Sequence, residues 1–463
     1  MLKKYLTVLS VSAFFFAQAQ NVSVLKNTID VYNGGGFGGS AKYNGMAGSM
    51  GALGGEASAA MINPAGIGVA ISSNISGTLS IDNLKNKSTL AGASKEYSIN
   101  KTDLGNISGI ASFQLLTETP WKFINIGVNY SSRSLEDYVE TPGNNNLTYT
   151  IPATSDILSY AGHAFNRYGS VDKMNIAIGA NYDNQIYIGT GLNFHGARID
   201  QYDSAAFYSA VNKRTDYYEK QDTPYTEDAS GFSANIGIIG KISQEFRLGA
   251  ALETPTWWTI NRVYNYYASP NDGTAAEDRK LRTPMKATLS AAMVPTKNFA
   301  VNIDYTIGLG KNKYKEYGSA ERELNNFYSN YSQNNSEIKI GAEYRIKNLR
   351  LRGGYAFESS PLKSVDLTEL SVNGNLADKS YSNLLLGERN TLGLGIGYDF
   401  GGVFLDFAYQ NIQSEYKNPF LKGDANYNAG YFSNQYIVEY DGSLVSDVKR
   451  NLNNYSITLG WKF

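Results

Sequence analysis

Ala41 to Ala70 reads AKYNGMAGSMGALGGEASAAMINPAGIGVA, and the rest of the chain is organised around it. Seven glycines and eight alanines leave Lys42 and Glu56 as its only charges, so the stretch is apolar without being bulky. Gly45, Gly48, Gly51 and Gly54 would each cost about 1 kcal/mol in a helix interior relative to alanine, which argues against a long free-standing helix. Short turns packed into a confined space fit better, with Met46, Met50 and Met61 filling irregular apolar gaps. Asn63-Pro64 fixes one such turn. Proline pushes Asn63 out of the α region, the asparagine can cap, and Pro64 suits the first helical position. On composition alone, a small-residue linker or surface loop is the alternative.

The flanks bear on that choice. Lys3 and Lys4 precede an apolar run from Tyr5 to Phe16, and Ala17-Gln18-Ala19 has the small residues of a cleavage site, so residues 1–19 read as a signal peptide. Without those lysines the formal charge moves from −1 to −3 and no basic block remains, which makes nucleic acid a poor partner. There are no cysteines for disulfides or thiolate metal sites. No later run reaches the roughly 18 apolar residues a membrane helix needs. Yet 35 tyrosines, 46 glycines and only 18% charged residues suit strands that alternate lipid-facing and water-facing positions.

Counting alternating runs gives an even total of fourteen: Ile75 to Ile81, Ile107 to Leu115, Lys122 to Tyr130, Met174 to Tyr182, Gln185 to Phe194, Phe232 to Ile242 and Glu245 to Thr254, then Met285 to Met293, Phe299 to Ile307, Glu337 to Ile346, Leu349 to Phe357, Thr391 to Phe400, Val403 to Tyr409 and Asn454 to Phe463. In Phe299 to Ile307, Phe299, Val301, Ile303, Tyr305 and Ile307 share one face, while Asn302, Asp304 and Thr306 hold the other. Short joins such as Asp183-Asn184, Lys347-Asn348 and Gly401-Gly402 alternate with long polar segments such as Ser131 to Lys173, His195 to Gly231 and Asn411 to Asn453. That is the connection pattern of a transmembrane barrel. Gln20 to Ser40, with its glycine run, reads as a flexible lead. Gly34, Gly36 and Gly39 match a dinucleotide fingerprint in letters only, lacking the strand before and the helix after.

NGMAGSMGALGGEASAAMINPAGIG closely resembles the N-terminal hatch of FadL-type outer-membrane transporters of long-chain fatty acids and other hydrophobic compounds. The shared motif includes Asn63-Pro64-Ala65; Gly55-Glu56 stands where that family often has two acidic residues. LGAALETPTWW, IKIGAEYRIKNLRLRGGYAFESSPL and TLGLGIGYDFGGVFLDFAYQ are similar to its late strands. The final alternating run, ending in Phe463, looks like the assembly signal read by the barrel assembly machinery.

The resemblance implies an all-β, transmembrane antiparallel β-barrel of about fourteen strands, with an N-terminal luminal hatch of short helical turns. Residues 20–72 would be lead and hatch, and residues 73–463 the barrel. It implies a monomer in the outer membrane of a Gram-negative bacterium, among outer-membrane lipid, taking up hydrophobic small molecules passively with hatch displacement and lateral exit. The gate would include Asn63, Pro64, Ala65, Met46, Met50 and Met61. Some related barrels act instead as partners in protein secretion, so an interaction role is the alternative.

Luminal faces carry Arg247, Lys286, Lys339, Arg345, Arg350 and Arg352 beside Glu245, Glu253, Glu337, Glu343, Asp304, Asp399 and Asp406, for which charge ladders across strands are the default reading. Arg350 and Arg352 are the choice for gripping a carboxylate ligand, because a guanidinium can make two parallel hydrogen bonds to it. Ile157, Leu158 and Phe165 belong to an apolar cluster in the first long segment, an exposed patch that points to contact; the resemblance implies an external groove that first collects substrate, and a loop packing against its neighbours is the alternative. His163 and His195 lie in no hydrolase or metal motif, so no catalytic residue, cofactor or metal is expected.

Overall fold

The computed structural model describes residues 22–33, 35–116, 118–151, 154–220, 223–265, 274–422 and 441–463. The signal peptide expected at residues 1–19 lies outside them. After the hatch the chain runs through β1 (Asn74–Leu90), β2 (Ala93–Gln114), β3 (Trp121–Ser134), β4 (Asp137–Thr150), β5 (Ile157–Tyr182), β6 (Ile186–Ser209) and β7 (Arg214–Glu219). There follow β8 (Tyr225–Lys241), β9 (Phe246–Glu253), β10 (Trp257–Asn265), β11 (Thr274–Arg282), β12 (Met285–Thr296), β13 (Phe299–Leu309) and β14 (Lys313–Tyr314). The chain ends with β15 (Ser336–Ile346), β16 (Leu349–Glu358), β17 (Val365–Leu370), β18 (Leu376–Tyr381), β19 (Arg389–Asp399), β20 (Val403–Phe420) and β21 (Leu444–Lys462).

All but β17 and β18, which pair with each other as a separate hairpin, belong to one antiparallel sheet that closes into a wall of fourteen positions. β9 and β10 share a position broken at Thr254 to Thr256, β11 continues into β12 past Pro284, and β14 extends β13. The wall closes where β1 pairs with β21, from Asn74↔Lys462 to Thr89↔Asp447. Pairing of the first strand with the last leaves neither end of the sheet as a free edge, which in lipid would carry backbone groups with no water to bond.

Period-two alternation places the side chains. Along β21, Tyr455, Ile457, Leu459 and Trp461 point outward and exposed, while Ser456 and Thr458 between them are wholly buried. On β13, Ile303 and Tyr305 face out, whereas Asn302 and Asp304 are buried within the lumen. The exposed apolar band and polar interior are those of a barrel that crosses a bilayer.

Two expectations are corrected. The long polar segments are largely strand: β5 has 26 residues, against the roughly 10 that cross a bilayer, and its ladder with β6 runs beyond the apolar band to Leu158↔Ser209, with one register shift between Tyr160 and Gly162. Beyond the lipid band the outward residues need not be apolar, so the alternation that marks a strand fades although the pairing continues. Part of the segment Asn411 to Asn453, residues 423–440, lies outside the described residues.

The lead is likewise ordered where described. Val22–Asn27 is α-helical, Thr28–Tyr32 is a π-helical turn, and every residue of both is buried. Val22, Leu25, Ile29 and Tyr32 belong to a cluster with Ile199, Trp258, Tyr314, Phe327 and Leu385 in the long-strand half of the barrel. From Val22 the described chain thus runs from the long-strand half down the lumen through the hatch and enters β1 at the short-turn end.

Candidate functional site

The hatch is three short helical pieces, Ala41–Gly45, Ala57–Met61 and Pro64–Val69. Asn63 caps the last: its Oδ1 accepts from Ala65 N at 3.0 Å, and its Nδ2 donates to Gly51 O at 3.0 Å and to Ile238 O of the wall at 3.2 Å. Other orphan backbone groups of the hatch meet wall side chains. Asp304 accepts from Met50 N and Gly51 N, Asn302 from Ala52 N, and Thr458 Oγ1 from Ala41 N. Asn125 donates to Ile67 O and Ala70 O, Asn235 to Ala60 O, and Arg247 to Leu53 O. Elsewhere the wall offers glycine, because backbone lies on backbone. A Cβ on Gly189 would stand 2.4 Å from the Pro64 carbonyl carbon, and one on Gly354 2.3 Å from that of Met46. At these points the hatch and the wall pack backbone against backbone, with no room for a side chain between them.

Above it lies a cavity of about 180 Å³. Tyr43, Ala47, Gly48, Met61 and Ile62 line it from the hatch, and Asn33, Gly35, Gly36 and Phe37 from the segment above. Its walls carry Lys173, Lys286, Lys339 and Arg389 together with Glu253, Glu337 and Glu358. Lys173 donates to Glu253 at 2.9 Å, Lys339 pairs with Glu337 at 2.8 Å, and Arg389 pairs with Glu358. A dry apolar chamber, which a purely greasy ligand would favour, is not what stands above the hatch.

The N-terminal helix and turn roof this cavity, and their polar side chains are tied to the wall. Lys26 Nζ lies 3.4 Å from Asp137 Oδ2 and 3.9 Å from the centroid of the Phe165 ring. Asn27 donates to Tyr225 Oη at 3.0 Å, and Thr28 Oγ1 lies 2.7 Å from Tyr314 Oη. Tyr32 donates to Glu227, which also holds Arg262. Asp30 takes a 2.5 Å bond from Arg167, and Arg133 donates to its backbone oxygen at 2.9 Å. Burial alone would push the Asp30 carboxyl up, but the Arg167 and Arg133 guanidinium groups outweigh it and hold it well below the usual carboxylate range.

The wall has one seam beside this assembly. β2 pairs with β1 from Ala93 to Ile110, but with β3 only from Asn106 to Gln114, so among the described residues its second edge above Asn106 has no ladder partner. β4 faces that edge through side chains: Lys95 meets Glu140, Lys101 meets Glu136 at 2.8 Å, and the Tyr97 and Tyr138 rings lie 4.5 Å apart. A register shift between Thr78 and Leu79 leaves Gly105 outside the β1–β2 pairing where the seam starts. Behind it is a second cavity of about 90 Å³, lined by Gly105, Ser132, Arg133 and Arg450 and sharing Gly36, Arg389 and Gln410 with the first.

The residues singled out from sequence fall in different places. Asn63, Pro64 and Ala65 form the capped turn of the hatch; Met46 and Met50 are buried in it, and Met61 reaches the larger cavity. Arg350 stands by the short-turn end, donating to Lys347 O, with Asp399 at 3.6 Å. Arg352 is spent on Glu343 at 2.8 Å and Asp406 at 2.5 Å beneath the hatch, and neither arginine lines either of these two cavities. Ile157, Leu158 and Phe165 lie along β5 rather than in a loop. Ile157 is exposed, Leu158 is buried beside Tyr160 and Phe207, and Phe165 is buried against Lys26, so they share no groove. Arg133, Lys173, Glu358, Arg389 and Arg450 escaped sequence reading, because they lie beyond the stretches of clear alternation or at their ends.

No protein-family model matches the chain, and no curated protein matches it. Solved structures do. A Pseudomonas aeruginosa FadL homologue aligns with a TM-score of 0.56 at 12% identity, over 91% of this chain and 98% of its own. The P. putida toluene transporter TodX aligns at 0.53 and 13% identity, over 92% and 99%. The Ralstonia pickettii toluene transporter TbuX aligns at 0.51 and 12% identity, over 92% and 99%. With its closed fourteen-position wall and its hatch of short helical turns, the chain has the FadL-type barrel fold.

Proposed function

We propose that this protein is an outer-membrane channel for passive uptake of hydrophobic compounds, long-chain fatty acids among them, which leave sideways through the barrel wall. One observation carries the reading: the cavities between the hatch and the N-terminal helix adjoin a seam where β2 has lost its ladder partner. A ligand taking that route would pass from cavity to lipid without crossing the lumen at hatch level. Tail burial in the bilayer would then drive exit, at about 0.8 kcal/mol per CH₂ removed from water. Small rearrangements of the hatch near Met61 would widen the cavity, and its displacement is part of the proposal.

The test closes the seam. The chain contains no cysteine, so Lys101→Cys with Glu136→Cys places two unique thiols across it. Bridging them with a short bismaleimide should cut uptake of a fluorescent fatty acid into vesicles containing the protein. The same variant left unbridged should behave as wild type. Equal uptake in both states would refute lateral passage at this place.

A further inference from the structure

Three guanidinium groups from distant parts of the chain line the smaller cavity: Arg133 at the end of β3, Arg389 at the start of β19 and Arg450 on β21. Asp82 is the one carboxylate among the residues lining it. Gathering like charges in a partly enclosed space is unfavourable unless anions accompany them. Two of the three have such company at their outer sides. Arg133 reaches Asp30 at 3.9 Å, and Arg389 pairs with Glu358. Arg450 makes no ion pair among the described residues, and its Nε, like that of Arg133, is shut from solvent with no hydrogen-bond acceptor. Buried donors without acceptors are uncommon, and two of them belong to arginines that line this one cavity.

We propose that this cavity binds the phosphate or sulfate monoester headgroup of an amphipathic molecule whose hydrocarbon part lies in the seam between β2 and β3. The inference rests on the uptake reading and names its substrate class. Guanidinium groups match the oxygens of such anions in pairs of parallel hydrogen bonds. The hydroxyls of Ser132 and Ser134 stand at the same cavity. A carboxylate presents two oxygens for three guanidinium groups to share, whereas a monoester presents three terminal ones, one for each. The cavity meets the start of the seam at Gly105, so a bound headgroup leaves its chain a path into lipid.

The test uses the full-length protein in a neutral maltoside detergent, titrated calorimetrically with dodecyl phosphate, dodecanoate, dodecanol and inorganic phosphate. Dodecyl phosphate should bind about tenfold or more tighter than dodecanol, with dodecanoate between them. Inorganic phosphate should compete with it weakly. Arg450→Gln removes the guanidinium that holds no structural ion pair, so folding should persist while the advantage over dodecanol falls about tenfold. Arg450→Lys should restore part of it. Equal binding of dodecyl phosphate and dodecanol to the wild type would overturn the proposal, as would an advantage untouched by Arg450→Gln, or free phosphate binding as tightly as the amphiphile. None of these outcomes touches the uptake reading, which seam bridging tests with a different probe.

Discussion

Asp30 shows how much can turn on one side chain outside any recognised motif. Its carboxylate is buried against Arg167, itself fully buried. Asp30→Asn leaves that guanidinium without its counter-charge, which for a buried pair costs on the order of 3–5 kcal/mol. The sign with pH follows from the depressed carboxyl. An unfolded aspartate titrates near pH 3.9, so the pair's contribution is complete above that pH and drains away as pH falls toward the folded value. Thermal melts in detergent should show wild type above Asp30→Asn at pH 7, with the gap narrowing below about pH 4. A gap constant from pH 7 to pH 2 would remove the ion pair from the account. Arg352 gives a second prediction at this scale. Because Glu343 and Asp406 already occupy it, Arg352→Ala should lower the melting temperature without changing the preference for a carboxylate ligand over its methyl ester. Loss of that preference with stability intact would return Arg352 to the binding site.

At the scale of elements, the hatch was the most legible part of the sequence and the helix above it the least. Small residues, three methionines and Asn63-Pro64 say that backbone must approach backbone, and the wall answers with glycine at Gly189 and Gly354. Gly354→Val should let the barrel form yet unseat the hatch, and vesicles should then leak small polar solutes. Asn63→Ala with Pro64→Gly should do the same more mildly, since a lost cap costs about 1 kcal/mol. Normal tightness in both variants would mean that the hatch reseats. The helix hid because VSVLKNTIDVY is short and lies beside a glycine run that reads as flexible. Its burial depends on partners such as Tyr314 and Trp258, which lie more than two hundred residues away in sequence. Deleting residues 22–33 should leave the strand content unchanged by circular dichroism and raise the permeability of the hatch-mutant barrel further. No added leak would show that the helix seals nothing.

For the whole molecule, fourteen alternating runs were readable because lipid demands apolar side chains on alternate positions, and each run lies in a wall position. What could not be read is where that demand stops. Outside the lipid band β3, β5 and β6 continue as ladders without the pattern, and the cavity-lining Arg133, at the end of β3, and Lys173, on β5, come from those stretches. Site residues were therefore harder to find than strands, since a cavity is defined by which strands meet and not by any one of them.

The fit between hatch and wall also bears on the order of construction. With backbone against backbone around it, the hatch has no room to slide into a finished cylinder, and the helix beyond it would have to lead the way. β1 and β21, which close the wall, stand at opposite ends of the strand sequence, so closure waits until every other strand exists. Until then the growing sheet is an open trough, and the N-terminal residues can be laid along it and bonded strand by strand. The last pairing then shuts the wall over contents already in place, which makes the helix from Val22 and the hatch part of the mould on which the cylinder is formed.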